Sequence, residues 1–583
     1  MRNAKIVCTL GPASNSEGTI RDLAAAGMAV ARINTSHADP ESAAALAATI
    51  RRVDETTADP LATLLDLQGP EVRTAAIDGA VTLEAGTTVE FRPGDTVDGE
   101  TVGLSTSVAA ASVGDRILLD DGRIETRVEA VEGDSVRARV QEGGSLESRA
   151  GVNVPGVDLG LDPVTEGDRA FLEVAAESPV DYVAASFVRS ADDVLAVSEV
   201  LEDHGADLPI IAKIERRDAV TNLEGIVDAS YGIMVARGDL GVECPMEDVP
   251  LIQKRIIRQC RAAGAPVITA TEMLDSMVSA RRPTRAEASD VANAVLDGSD
   301  AVMLSGETAV GEDPVHVVET MDRIVRRAES AEEYRTVEES RVPEPDGTST
   351  DALSRSARYL ARDVGATAVV VASESGYTAR KVSKFHPEVP IVAATPREDV
   401  RRQLTLSWGV EPVSADLGES IDDVIARSVD AALSAGVADS GDTVVVVAGM
   451  LTDLEGPDTT NMLKVHVAAS VVTRGRTVVG GQAVGPAIRV PDGDLSRVPD
   501  GTLLVLPRDA SGSLEGAFDK IAGIIDATPG LTGYGAMVAR ELDVPMISGA
   551  VLGDAIADGA VVTLDADRGV VYEGDVRSPG ARR

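Results

Sequence analysis

Aromatic residues are nearly absent: they make up 2% of the 583 residues, with a single tryptophan. A core built without them must be filled by Ala, Val, Leu and Ile, which a 44% hydrophobic content supplies. Cysteine is as scarce. Cys8, Cys244 and Cys260 are too few and too apolar in setting for a disulfide framework, which fits a reducing compartment. Lysine is rare, and Asp and Glu outnumber Lys and Arg by 95 to 54, a formal net charge of -41. The acids are spread along the chain, which excludes a disordered acidic tail. Like charge on this scale opposes compaction and is screened by concentrated salt, so the composition reads as that of a salt-loving cytoplasm. It also argues against nucleic acid and anionic membranes as partners. No apolar run reaches membrane-spanning length, and no signal peptide is read before the first strand candidate, Ala4 to Leu10.

One stretch, Leu208 to Gly241, organises what is there. It reads as strand, helix, strand, each strand starting apolar and ending in charge. Pro209-Ile210-Ile211-Ala212 runs into Lys213-Ile214-Glu215, and Gly232-Ile233-Met234-Val235-Ala236 runs into Arg237-Gly238-Asp239. Side chains two apart on a strand share a face, so Lys213 and Glu215 point the same way. Near-continuous apolar strands alternating with helices predict a parallel sheet covered on both faces. Its carboxyl edge is where such folds keep their chemistry. Glu215 and Asp239 on neighbouring strand ends can hold a hard divalent cation, since Mg²⁺ takes one or two carboxylates plus water and substrate phosphate. Lys213 beside them can follow a migrating phosphoryl group. A plain ion pair at a barrel rim is the competing reading of Lys-x-Glu alone.

Eight such strands can be counted, beginning at Ala4, Val30, Leu61, Asp181, Pro209, Gly232, Pro266 and Asp300, with helical segments between most of them. They predict an α/β fold, a (β/α)₈ TIM barrel. Its strand ends gather Arg32 and Asn34, Asp66, Ser186 with Phe187, Lys213 and Glu215, Asp239, Thr271 and Ser305. Ser14 to Glu17 offer capping groups to a first helix that stops at Gly27. From residue 74 to 150 the chain turns to short Val- and Thr-rich strands and turns, an inserted β-domain placed to exclude water from the rim. The barrel takes residues 1–73 and 151–346, a C-terminal α/β domain 347–474, and a further β/α domain 475–583.

The runs AKIE, GIMVARGDLG, TATEML, RPTRAEASDVANAVLDGSDAVMLSGETA and LDLQGPEVRT resemble pyruvate kinases closely, over roughly residues 1 to 473. The resemblance implies transfer of the phosphoryl group of phosphoenolpyruvate to ADP, with Mg²⁺ (or Mn²⁺) and K⁺ as cofactors. It implies that Lys213, Thr271 and Arg32 are catalytic and that Gly238 and Asp239 join them in binding substrate. Glu215 and Asp239 would hold the divalent ion. Asn34, Ser36, Asp66 and the carbonyl of Leu67 would hold K⁺, and Glu71 matches the acid of K⁺-requiring members. Arg73, His37 and Asn34 would meet the nucleotide, and the inserted domain would be its mobile lid. Three departures stand out: Leu67-Gln68 in place of the usual Thr-Lys, Arg149-Ala150 in place of nucleotide-reaching lysines, and Glu272 where many relatives have Gln. The usual homotetramer is expected by resemblance.

The segment after Thr348 resembles the family's effector domain. Ser373 to Thr378 matches a sugar-phosphate loop, but Glu374 and the acidic loop Gly449 to Thr460 argue against a bisphosphate effector. TVVGGQAVGPAIRV and PGLTGYGAMVARELDVPMISGA resemble the swivelling phosphohistidine domain of phosphoenolpyruvate-using enzymes. Tyr534 stands where that domain carries its His, and the last histidine of the chain is His466. Two rivals remain at this level: another enolate-forming barrel enzyme, and a catalytically silent sensor of phosphoenolpyruvate or nucleotide. The first lacks its base or phosphohistidine here, and the second has no need of Lys213 and Asp239 together.

Overall fold

The computed structural model describes residues 2–418, 420–449, 460–469, 471–490, 493–508, 514–553 and 556–576. The chain forms two compact units. The first comprises Met1–Pro345 with the short segments Ser383–His386 and Glu398–Pro412. Its centre is a closed barrel of eight parallel strands: Lys5–Leu10, Val30–Asn34, Ala62–Asp66, Tyr182–Ala185, Ile210–Ile214, Gly232–Ala236, Val267–Ala270 and Ala301–Leu304. Each lies inside a strand predicted from the sequence. Every residue of these strands is buried except Asn34, the last of the second. Burial on both faces explains why they read as continuous apolar runs. Val7, Val30, Leu64, Tyr182, Ile211, Met234, Ile268 and Met303 form an interior core.

The first helix, Glu17–Ala26, begins on Ser16, whose hydroxyl accepts from Thr19 N–H. It ends on Gly27 at φ +116°, a conformation that favours glycine. Between the third and fourth barrel strands lies the inserted β-domain, a seven-stranded sheet with its own core around Val89, Phe91, Val102, Ile117 and Val136. Its outermost pair, Val72–Arg73 and Gly151–Asn153, runs antiparallel, with Arg73 opposite Gly151. The chain thus enters and leaves the insert through two adjacent strands. Strands at Thr101–Leu104 and Gly144–Leu146 were not visible in the sequence.

The amino-terminal end of the barrel is closed by the two short segments, which sequence pattern assigns to the C-terminal domain. Leu406 joins the interior core. Lys5 Nζ donates to the Val410 carbonyl at 2.7 Å. Asp181, buried, accepts from Arg402 Nε and from Thr63 N–H, both at 2.8 Å, and from Arg51 at 3.1 Å. His386, at φ +46°, lies flat on Trp408 with ring centroids 3.9 Å apart. Its Nδ1 is 2.9 Å from Glu338, which Arg261 also pairs at 2.7 Å.

In the second unit, four strands lie side by side in the order Ile391–Thr395, Ala368–Ala372, Thr443–Ala448 and Met462–Val467, the first three parallel and the last antiparallel. In the Ser373 to Thr378 loop, Glu374 is exposed and Thr378 Oγ1 lies 2.8 Å from Thr460 Oγ1. The acidic loop predicted beyond Gly449 lies, up to Thr460, outside the described residues. A further eight-stranded sheet follows, with a parallel centre of Gln482–Arg489, Thr502–Leu506, Ile521–Asp526 and Met546–Ser548. Val471–Arg474 joins its edge, beside Val570–Glu573. Tyr534 opens the helix Tyr534–Leu542 and is exposed. Among the described residues no helix is long and apolar enough to cross a membrane.

The Glu338 cluster gives a pH-dependent prediction. Burial alone raises its carboxyl, but His386 and Arg261 outweigh it and hold the group at about 2, below its ordinary 4.5. A depressed carboxyl contributes stability that is full above the unfolded value and is lost as pH falls towards the folded one. Glu338→Gln is therefore expected to lower stability at pH 7 by about 3 kcal/mol, because the buried Arg261 loses its anionic partner and His386 its acceptor. The deficit shrinks between pH ~4.5 and ~2. Urea midpoints at pH 7 and pH 3 in KCl check this; equal midpoints at pH 7 overturn it.

Candidate active site

Register places the site. Asn34 and Asp66 are partners on the second and third barrel strands, and Asp66 is partnered on its other side by Ala184. Lys213 stands beside Met234 on the next pair. These positions are the carboxyl ends, where apolar runs give way to polar side chains. Lys213, with 11% of its side chain exposed, reaches Glu215 Oε1 at 2.9 Å and Asp66 Oδ1 at 3.3 Å. It donates to Ser186 Oγ at 2.7 Å, and that hydroxyl donates to the Leu67 carbonyl, also at 2.7 Å. Arg32 donates from Nε to Asp66 Oδ2 at 2.5 Å and from Nη1 to Thr9 Oγ1 at 2.8 Å. Glu215 Oε2 accepts from the Phe187 N–H at 2.6 Å. Gly69 must be glycine here: it sits at φ +74°, and a Cβ would fall 2.8 Å from the side chain of Ser186.

Charge follows from this geometry. Burial works against the ammonium of Lys213, yet Asp66 and Glu215 outweigh it and raise its pKa above the ordinary lysine value. Burial would raise Asp66, but Arg32 and Lys213 hold it below the carboxylate range. Asp239, in the first turn of the helix Arg237–Glu243, has no such protection. Burial pushes its carboxyl up to about 7, helped by Glu215, Asp121 and Glu71 and opposed by Lys213. Burial raises Glu71 too, against its ion pair with Arg73 at 2.6 Å.

The loop carrying Asp239 is tied to the next strand. Arg237 donates from Nε to the Ala270 carbonyl at 2.9 Å and from Nη2 to the Thr271 carbonyl at 2.6 Å, and pairs with Asp290 at 2.7 Å. Thr271 and Glu272 sit at φ +65° and +52°, and Phe187 at +55°. Left-handed backbone at a β-branched residue is strained, and such strain clusters at functional sites. The Gly238 N–H, predicted as a donor to substrate, donates here to Thr271 Oγ1 at 2.9 Å. The Thr271 hydroxyl in turn donates to the Ala270 carbonyl at 2.7 Å.

Arg32, Asp66, Lys213 and Glu215 are thus joined directly, with the Leu67 carbonyl linked through Ser186 and Asp239 coupled by charge. Asn34 adjoins them; its Oδ1 accepts from Ser36 N–H at 3.2 Å. Ser36 and His37 are exposed on the turn Thr35–His37, and among the described residues His37 has no hydrogen bond or ion pair. Arg73 lies at the insert's entry, donating to the Arg149 carbonyl at 3.0 Å. Among the described residues, no three His, Cys, Asp or Glu side chains gather closely enough to hold a metal by themselves. Two carboxylates that share an ion with substrate and water need no such group. Sequence reasoning gave no part to Arg237, Thr9 or Asp121. For Arg237 the signal was present: a cation placed directly after a strand end.

A closed parallel barrel with a buried ammonium, an arginine and paired acids at its carboxyl rim has the form of an enzyme site able to take an anionic substrate. The comparisons make the class particular. Residues 1–318 match the barrel domain of pyruvate kinase, residues 351–466 its alpha/beta domain, and residues 498–569 the mobile domain of PEP-utilising enzymes. The chain is 42% identical to the pyruvate kinase of Geobacillus stearothermophilus over 584 residues, 98% of this chain and 99% of the relative. It is 41% identical to that of Bacillus licheniformis and 40% to that of Sporosarcina psychrophila, with the same coverage. The chain belongs to the pyruvate kinase family, and its function is that family's: phosphoryl transfer from phosphoenolpyruvate to ADP, giving pyruvate and ATP.

Asp239 yields a test that needs no ligand. Its carboxyl titrates at about 7 in the folded chain against an ordinary 3.8. Between those values the folded state keeps a proton that the unfolded chain has lost, so stability falls as pH rises through the interval. In metal-free protein, Asp239→Asn should match the parent near pH 4 and melt higher at pH 8. An Asn variant that melts no higher at pH 8 contradicts the assigned environment.

Proposed function

We propose a division of labour at this rim. Lys213 stabilises charge on the phosphoryl group in transit, and Arg32 fixes the phosphate of its donor. Thr271 orients the donor and relays the proton that converts the enolate to pyruvate. Gly238 offers its N–H to the donor's carboxylate, exchanging it for Thr271 Oγ1. The observation that carries this reading is the ammonium of Lys213, buried yet kept charged between Asp66 and Glu215.

Glu215 and Asp239 hold Mg²⁺ or Mn²⁺. What supports the fit is burial joined by a local excess of negative charge from Glu215, Asp121 and Glu71, which together push the Asp239 carboxyl up to about 7. When bound, the divalent ion supplies neutralisation of phosphate and carboxylate oxygens. Asn34, Ser36, Asp66 and the Leu67 carbonyl hold K⁺. In support, Asn34 and Asp66 are register partners, and Asp66 Oδ1 is buried with only the Lys213 ammonium, at 3.3 Å, facing it. Arg73, His37 and Asn34 serve the nucleotide, and the inserted domain closes over it as a lid. Residues 1–73 and 151–346, 74–150, 347–474 and 475–583 are the functional divisions.

The net charge of -41 supports a salt-loving, haloarchaeal-type protein of the cytoplasm, and the family resemblance supports a homotetramer. The last domain carries no phosphohistidine, because Tyr534 occupies that position, and its role is structural.

A coupled assay for pyruvate with ADP, Mg²⁺ and KCl tests the assignment. Lys213→Met should fold normally and lose ~10²–10³-fold or more in turnover, the usual cost of removing a donor to transition-state charge. Turnover near that of the parent removes Lys213 from this role. Activity and melting temperature of the parent should rise with KCl well beyond ~0.15 M, where exposed charges already feel a Debye length of ~8 Å. An optimum in dilute buffer contradicts the salt-loving reading.

A further inference from the structure

The inserted domain rejoins the barrel through a strap, Gly151 to Asp158. Beneath it lies a buried carboxylate that the reaction does not use. Glu243 ends the helix Arg237–Glu243 and is 2% exposed; neither oxygen makes a hydrogen bond of full geometry, yet the Gly156 N–H and the Asn153 side chain lie close enough to act on it as donors. An unsatisfied buried carboxylate is costly, so it calls for a reason. The groups that bear on it are Arg216 and Asp218 from the barrel and, from the strap, the Gly156 N–H and the Asn153 side chain. Gly156 stands at φ +76° in a turn that Val157 N–H closes onto the Val154 carbonyl at 3.1 Å. The strap is held by barrel arginines: Arg216 Nη2 donates to the Val157 carbonyl at 3.2 Å, and Arg189 pairs with Asp158, also at 3.2 Å.

The connectivity matters more than any one contact. Glu243 follows Asp239 by four residues, so the two share one face of their helix. Arg216 directly follows Glu215. Each proposed divalent ligand is therefore linked, through its own short segment, to a residue that holds or faces the strap.

We propose that Glu243 is a positioning residue: when the insert closes, its carboxylate tightens its approach to the Gly156 N–H and the Asn153 side chain into full hydrogen bonds, setting the strap and Asp239 together. The inference rests on Glu215 and Asp239 being the divalent ligands. It predicts that metal occupancy and strap order rise together without substrate.

The experiment uses Mn²⁺ as the probe on the full chain in KCl. Paramagnetic resonance measures Mn²⁺ binding, and hydrogen exchange measures protection of the amides from Gly151 to Asp158. In the parent, Mn²⁺ should slow exchange in the strap. In Glu243→Ala, Mn²⁺ should bind about tenfold more weakly or worse, the loss of hydrogen bonds to a charged group, and strap protection should no longer respond. Glu243→Gln keeps an acceptor oxygen and should recover most of the response. A merely structural glutamate would instead lower the melting temperature of both variants and raise exchange across the barrel, leaving Mn²⁺ affinity alone. Asp239→Asn separates the two levels. If it binds Mn²⁺ like the parent, the ligand assignment fails and the inference with it. If it loses Mn²⁺ while Glu243→Ala binds like the parent, the coupling alone is overturned.

Discussion

An ammonium group removed from water and kept charged is the constraint around which this rim is arranged. Lys213 has Glu215 at 2.9 Å and Asp66 at 3.3 Å, and Asp66 in turn holds Arg32 at 2.5 Å. Two cations and two anions stand in contact with little water to screen them. At an effective dielectric of ~20, each such pair near 4 Å is worth about 4 kcal/mol before desolvation is charged against it. Each acid offsets part of the burial that works against the lysine's charge, and without the lysine the two carboxylates repel. The arrangement is neutral only as a set, which is why strand register, and not any local propensity, decides whether it exists. A slip of one residue in the second or third strand turns Arg32 or Asp66 to the barrel's other face.

Outside that neutral set the balance tips. Asp239, Glu71 and Asp121 add negative charge on one side, and burial keeps solvent from absorbing it. The surface as a whole tips the same way, at -41. An anionic donor and an anionic nucleotide approaching this chain meet long-range repulsion and short-range attraction. Salt removes the first and spares the second, because exposed charges are screened over a Debye length and buried pairs much less so. Concentrated salt would therefore weaken the exterior's repulsion while leaving the buried pairs of the rim in place.

The barrel was legible because its strands are buried on both faces. Their apolar runs stop where water begins, so the transition to charge marks both the strand end and the rim. That one rule located Arg32, Asp66, Lys213, Glu215 and Asp239. It failed where position depends on backbone twist. Phe187, Thr271 and Glu272 take left-handed φ without being glycine, so nothing in their side chains announces it. The amide of Phe187 reaches Glu215 only through that twist, and the contacts of Arg237 go to carbonyls it exposes. The segments closing the barrel's far end were hidden for another reason. Ser383–His386 and Glu398–Pro412 carry the alternation of the C-terminal α/β domain while their side chains serve the first unit. A pattern of periodicity reports an element's own faces, not which core it meets.

The strained corner at Thr271 is explained by what it fixes. Two successive left-handed residues cost of order 1–2 kcal/mol each, and such a corner persists only when its surroundings over-determine it. Here Arg237 takes the Ala270 and Thr271 carbonyls, and Gly238 gives its N–H to the Thr271 hydroxyl. The residues immediately before Asp239 are therefore anchored to the seventh strand, and Glu243, four residues on, faces the insert's strap. Between two fixed ends sits a carboxylate whose own surroundings disfavour its charge. The fold thus holds Asp239 rigidly in surroundings where burial and neighbouring acids oppose its charge, and on the proposed reading a divalent ion would supply the missing compensation.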